Sequence, residues 1–166
     1  MSARAGGAQP PGEPGATATW DSLLAASGLP RIEARALLEH VSGRDRSWLI
    51  ARGNEAAPAD TAARFVELAR RRREGEPLAY LLGFREFHGL RLRVSPAVLI
   101  PRADTELLVD LAIQLAPATG RMLDLGTGSG AVAVAVAAAR PDLHIAATDL
   151  SDAALAIAAG LSLIHI

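Results

Sequence analysis

The stretch 121-RMLDLGTGSGAVAVAVAAARPDLHIAATD-149 decides the fold. It opens on a short apolar run, RMLDLG, that reads as a buried strand. GTGSG is a turn, AVAVAVAAAR follows it, and LHIAATD reads as a second strand. By period alone the alternation of Ala and Val over residues 131–136 would itself be a strand. It is read as a helix for three reasons: Ala is the strongest helix former, Val132 and Val136 stand one turn apart, and a second strand parallel to the first needs a crossover between them. The expected unit is strand, glycine-rich turn, helix, strand.

Five residues in this unit point to chemistry: Asp124, Gly126, Gly128, Gly130 and, nineteen positions after the last glycine, Asp149. Glycines let the backbone of such a turn come close to a ligand, and the N-terminus of the following helix favours polar or anionic groups. An acid at the end of the second strand is placed to accept hydrogen bonds from ribose hydroxyls. The pattern therefore predicts a nucleoside-containing cofactor, held by Gly126, Thr127, Gly128, Ser129, Gly130 and Asp149, with Thr127 and Ser129 offering mainly backbone N–H groups. The competing reading makes Asp124 a loop-capping carboxylate and Asp149 a strand-end turn residue. GTGSGA also fits the looser dinucleotide pattern G-x-G-x-x-G/A. Asp124 separates the two cofactor classes, because DLGTGSG resembles motif I of class I S-adenosylmethionine methyltransferases. In those enzymes the acid before the glycines lies near the cofactor's amino-acid moiety, where dinucleotide enzymes usually carry an apolar residue.

The stretch 95–117 starts extended, because Pro96 and Pro101 oppose a helix there, and turns helical over residues 105–115 with Asp104 as the expected N-cap. Before it, FREFHGLRLRV alternates around Gly89, with Phe84, Phe87, Leu90, Leu92 and Val94 at its apolar positions. This is the pattern of a β-hairpin. From Trp20 to about Glu74 the pattern is helical and broken by Gly28, Pro30, Gly43, Gly53 and Pro58. PRIEARALLEHVSG opens with Pro and closes with Gly as helix ends prefer, and Ile32, Leu37, Leu38 and Val41 are its expected apolar side. PADTAARFVELARRRREG repeats the design with Phe65, Val66, Leu68 and Ala69. Its run of arginines at 70–73 is read as a solvated helix end whose charge offsets the dipole, in preference to a phosphate-binding patch.

The whole chain narrows the function classes further. Its 166 residues are 50% hydrophobic, enough for one ordinary core or two small ones. A balance of 17 basic against 18 acidic residues removes the electrostatic case for a dedicated nucleic-acid binder. With no cysteine and four scattered histidines, no metal site is expected. The start, MSARAGGAQPPGEPGATA, has no apolar core of a signal peptide and reads as a disordered leader. The longest uncharged apolar run, residues 131–139, is far short of the ~20 residues a membrane span needs. A cytoplasmic protein without membrane contact is the expectation.

YLLGFREFHGLRLRVSPAVLIPRADTELLVDLA followed by LDLGTGSGAVAVAVA resembles the peptide chain release factor N(5)-glutamine methyltransferase family, also called PrmC or HemK. The likeness runs from about Trp20 to Ala158. In that family one block reads I-P-R-P-D-T-E; here Pro101, Arg102, Asp104, Thr105 and Glu106 match, and Ala103 replaces a proline. The resemblance implies an α/β chain: a helical bundle for substrate recognition, a β-hairpin linker, and the start of a Rossmann-like methyltransferase domain. The corresponding ranges are a leader at 1–18, the bundle at 19–76, the linker at 77–100 and an incomplete cofactor domain at 101–160. It implies S-adenosylmethionine as cofactor and class I release factors as partners, with no direct nucleic-acid contact. Arg102, Thr105 and Glu106 would organise the site floor, and Phe87 would wall the methyl-transfer channel or simply pack.

The same resemblance implies seven strands and an Asn-Pro-Pro-Tyr loop after the fourth. This sequence supplies two of those strands and has no such loop. The expectation is therefore an N-terminal fragment with no catalytic residue of its own, exposing apolar surface where further strands would pack. LSLIHI at 161–166 departs from the Ala, Arg and Gly usage of the rest and reads as a non-native tail. Two other readings share the motifs: a glutamine methyltransferase acting on a ribosomal protein, and a non-catalytic interaction module built on the bundle. A dinucleotide oxidoreductase is the remaining alternative.

Overall fold

The computed structural model describes residues 18–165, with side chains through Leu161. The expected leader lies outside the described residues except for Ala18, whose carbonyl accepts from Ala57 N–H at 2.8 Å. The chain divides into two compact units between Arg73 and Glu74, ahead of the composition change at Pro77.

The first unit is helical. A capping box starts α1 (Trp20–Ala26): Ser22 N–H donates to Thr19 Oγ1 at 3.2 Å and Thr19 N–H to Ser22 Oγ at 2.9 Å. The second helix, α2 (Arg31–Ser42), follows Pro30 and stops at Gly43, whose φ of 64° gives the left-handed turn that ends helices. Asp45 caps α3 (Arg46–Ala51), its Oδ1 accepting from Trp48 N–H at 2.8 Å. The last helix, α4 (Ala59–Arg73), buries Thr61, Phe65 and Ala69.

Two expected apolar positions of these helices are corrected. Ile32 is 85% exposed and Val66 is 55% exposed. The buried stripe of α2 is Ala34, Leu37, Leu38 and Val41, an i, i+3, i+4, i+7 series that leaves Ile32 on another side. The arginine run closes the unit instead of standing free. Arg72 meets Glu33 of α2 in a two-pronged pair at 2.8 and 3.0 Å, Arg73 Nη1 donates to Ser27 O at 2.6 Å, and Arg70 pairs with Glu67. The hydrogen bonds from Arg72 hold the Glu33 carboxyl below its usual range.

In the second unit α5 (Leu78–Leu82) ends at Gly83, and the hairpin follows as β1 (Phe84–Phe87) and β2 (Leu90–Arg93), paired antiparallel with Phe87 opposite Leu90. His88 and Gly89 form its turn with φ of 48° and 74°, the left-handed pair that matches strand twist. Phe87, Leu92 and Val94 are buried. After a 3-10 turn, Ala103–Thr105, comes α6 (Glu106–Leu115). Asp104 is not the N-cap: it lies inside the 3-10 turn, and Thr105 enters the helix with helical angles and no side-chain cap.

The stretch 121–149 folds as β3 (Arg121–Leu125), α7 (Ala131–Ala139) and β4 (His144–Thr148), with β3 and β4 parallel and Arg121 beside His144. The Ala/Val alternation is a helix. Strand β3, expected to be buried, is open on one face: Leu123 is 56% and Leu125 75% exposed, while Met122 packs on the core. Among the described residues β3 pairs only with β4, and the face that carries Leu123 and Leu125 stays exposed. The exposed apolar surface expected for two strands of a larger sheet is therefore found. On the covered side Phe87, Leu92, Val109, Val134, Val136 and Leu143 form the core.

Finally α8 (Asp152–His165) is capped by Ser151, whose Oγ accepts from Ala154 N–H at 3.2 Å. Ala154, Ala158 and Leu161 make its buried stripe. Leu161, the first residue of the expected foreign tail, is 1% exposed and packs with the core.

Candidate cofactor site

The carboxyl ends of two parallel strands and the N-terminus of the helix between them meet at residues 124–130 and 148–151. In an open α/β sheet this is where ligands bind. The turn is anchored from β4 by a single main-chain atom: Thr148 O accepts from both Gly126 N–H and Thr127 N–H, each at 2.9 Å. Asp149 then reaches across, its Oδ2 accepting from Gly128 N–H at 2.8 Å and its Oδ1 from Ser151 N–H at 2.9 Å. Those amide donors, Ser151 foremost and Gly128 next, hold its carboxyl below the usual range, so it is ionised at neutral pH. Asp124 Oδ2 accepts from Thr127 Oγ1 at 2.7 Å. Thr127 and Ser129 are buried, at 8% and 3% exposure.

The three glycines do different work. Gly126 and Gly128 have φ of 74° and 55°, and a Cβ built on either would meet nothing within 4 Å. They give the left-handed turn and leave open space beside it, the property a ligand-cradling backbone needs. Gly130 has φ of 81°, and a Cβ there would lie 2.9 Å from the Ala158 Cβ. It is needed for close contact between α7 and α8. The helix that it starts has no side-chain cap, so its first N–H groups keep their positive end available.

The structure thus brings Asp124, Thr127, Gly128 and Asp149 together, and it corrects one detail. Thr127 N–H is taken by Thr148 O and is not open to a cofactor. Sequence reasoning missed Thr148, which acts through its carbonyl and has no side-chain signature. A hollow of about 490 Å³ between α7, β4 and α8 reaches this turn only at Gly130; Val134, Leu143, Ile145 and Ala158 line it, and neither acid does.

The other expected site residues lie apart from the turn. Arg102 is exposed and lines an open groove with Tyr80, Arg85 and Pro101, and its carbonyl accepts from Thr105 N–H at 3.0 Å. Glu106 Oε1 accepts from His88 N–H at 3.1 Å, and His88 Nε2 lies 2.9 Å from Asp110 Oδ1. The first turn of α6 therefore fixes the hairpin tip. Phe87, at 1% exposure, is a core residue packed with Leu92 and Val109. Among the described residues no three His, Asp or Glu side chains gather as a metal site, and no helix is long and apolar enough to cross a membrane.

Comparison with known proteins finds the model "PrmC N-terminal domain" over residues 16–83 and the model "Methyltransferase small domain" over residues 103–161. The release factor glutamine methyltransferase of Bordetella pertussis is 55% identical over 140 residues, 83% of this chain and 52% of that protein. Those of Neisseria gonorrhoeae and Escherichia coli are 52% and 49% identical, each over 82% of this chain and 50% of their own length. The chain is similar to the release factor glutamine methyltransferases across most of its own length. It spans about half the length of the relatives it matches. The glycine turn, Asp124 and Asp149 all fall within the methyltransferase small domain match, whereas the described helices of the first unit, with α5, fall within the PrmC N-terminal match.

Proposed function

We propose that this chain supplies the recognition bundle and the first part of the cofactor site of an enzyme that methylates a glutamine side-chain amide, that of the Gly-Gly-Gln motif of class I release factors. The observation that carries the reading is the ionised Asp149 clasping Gly128 N–H beside two glycines with open space where a side chain would stand. S-adenosylmethionine, when bound, supplies the electrophilic methyl carbon and leaves as the neutral thioether.

The chain's own residues bind and orient. Asp149, already accepting two N–H groups, has lone pairs left for ribose hydroxyls. Asp124 keeps an oxygen for the ammonium group of the cofactor's amino-acid end, since Thr127 engages only Oδ2. An amide nitrogen is a weak nucleophile, because its lone pair is delocalised into the carbonyl. Rate therefore comes from holding it in line with the methyl group and stabilising its pyramidal form. The Asn-Pro-Pro-Tyr loop that does this in the family is not among these 166 residues, and no catalytic step is assigned to them. Arg102, Thr105 and Glu106 shape the approach from the side of the hairpin. A protein that modifies release factors works in the cytoplasm.

The PrmC match of the bundle supports a release factor over a ribosomal protein as substrate. The test joins residues 18–160 to the C-terminal half of the Bordetella relative and offers the joined protein a radiolabelled methyl donor with each substrate. Label is expected on the release factor glutamine. Label on the ribosomal protein in its place would overturn the substrate, and label on neither would overturn the reaction.

A further inference from the structure

Helix α2 uses one stripe for the core and carries a second that none of the described residues covers. Arg31, Ile32, Arg35 and Glu39 lie along this second side and, with Arg46 and Ile50 of α3, line an open groove of about 670 Å³. Ile32 is 85% and Ile50 58% exposed, large values for branched apolar side chains on a unit that hides its other leucines and aromatic rings well. Among the described residues no ion pair or hydrogen bond engages the guanidinium groups of Arg31, Arg35 or Arg46, in contrast to Arg70, Arg72 and Arg73 of the same unit. The Arg35 Nε is shielded from water and has no acceptor.

We propose that this α2–α3 face docks an acidic protein segment that places an apolar anchor residue between Ile32 and Ile50. Charge complementarity selects the occupant, for three guanidiniums face one carboxylate, that of Glu39, around an apolar floor. This is the anatomy of a protein interface, with an apolar centre and a polar rim. A single-stranded nucleic acid would call for aromatic side chains on which bases stack, and none lines the groove.

The test is fluorescence anisotropy with this chain and three labelled probes of equal length: a Glu- and Asp-rich peptide bearing two Leu, its twin with Gln and Asn for the acids, and an oligouridylate. The acidic peptide is expected to bind saturably, and the twin and the oligouridylate at least about tenfold more weakly, as for a steered, charge-matched contact. Arg35→Glu with Arg46→Glu should weaken the acidic peptide at least about tenfold. Ile32→Ser with Ile50→Ser, both at exposed positions that leave the core intact, should weaken it by several-fold without changing the salt dependence. Preference for the oligouridylate, no saturable binding, or equal affinity in both double variants would overturn the proposal. No cofactor or methyl transfer enters the readout, so failure here leaves the reading of the cofactor turn standing.

Discussion

Gly130 is where backbone conformation and packing make the same demand. Its φ of 81° is strained for any residue with a side chain, and the space a Cβ would need is held by Ala158 at 2.9 Å. Gly130→Ala should therefore cost about 1–3 kcal/mol and lower the thermal midpoint by several degrees, read by circular dichroism. Gly43→Ala, with a positive φ but nothing within 4 Å, is the control and should cost less. Asp149 invites a sharper question, since it both braces the turn and is proposed to hold the ribose. In the protein joined to the relative's C-terminal half, Asp149→Asn should weaken S-adenosylhomocysteine about tenfold or more and weaken its 2′-deoxy analogue much less. Equal losses on both ligands would make Asp149 a brace only. At this scale the glycines and both carboxylates were legible, because each acts through its identity. The Thr148 carbonyl and the engaged Thr127 N–H were not, since main-chain groups look alike in every residue type.

Among elements, the end of α6 and the start of β4 are tied by Arg140. It donates to the carbonyls of Ile113, Ala116 and Pro117 and meets both oxygens of Asp142 at 2.7 Å, while Asp142 also accepts from Thr119 N–H. The guanidinium, and after it the Thr119 N–H, hold the Asp142 carboxyl far below its ordinary 3.8. A carboxyl whose folded pKa is depressed gives stability that is complete above its unfolded value and is lost as pH falls through the folded one. Asp142→Asn should accordingly destabilise at pH 7, and the gap from the unaltered chain, measured by urea midpoint, should narrow below about pH 4. A gap independent of pH would contradict this account. The Ala/Val stretch of α7 shows what sequence can tell about elements: local period pointed to a strand, and helix propensity with the need for a crossover pointed correctly to a helix. Asp104 shows the limit, for a 3-10 entry removes the extended N-cap geometry that its side chain would have served.

For the whole molecule the notable feature is unpartnered apolar surface. Leu107, Leu108, Leu115, Leu123 and Leu125 are 54–75% exposed in the second unit, more than scattered single residues on an ordinary surface. The chain alone should bind an apolar dye and self-associate in sedimentation runs, and joining the relative's C-terminal half should abolish both. A monomeric chain without dye binding would contradict this. The order of bundle, hairpin and cofactor turn could be read from composition shifts and motifs. The open face of β3 could not be read from RMLDLG itself, because burial depends on neighbouring strands that a local pattern does not reveal.

Residues 124–130 with Asp149 are proposed to form the first part of an S-adenosylmethionine site. Calorimetry on the joined protein decides this, with S-adenosylmethionine and NADH as competing ligands and Gly128→Val as the blocked turn. The expected result is saturable one-to-one binding of S-adenosylmethionine, none of NADH, and loss of at least about tenfold in affinity on filling the open space beside Gly128. Unchanged affinity in Gly128→Val, or preference for NADH, would contradict it.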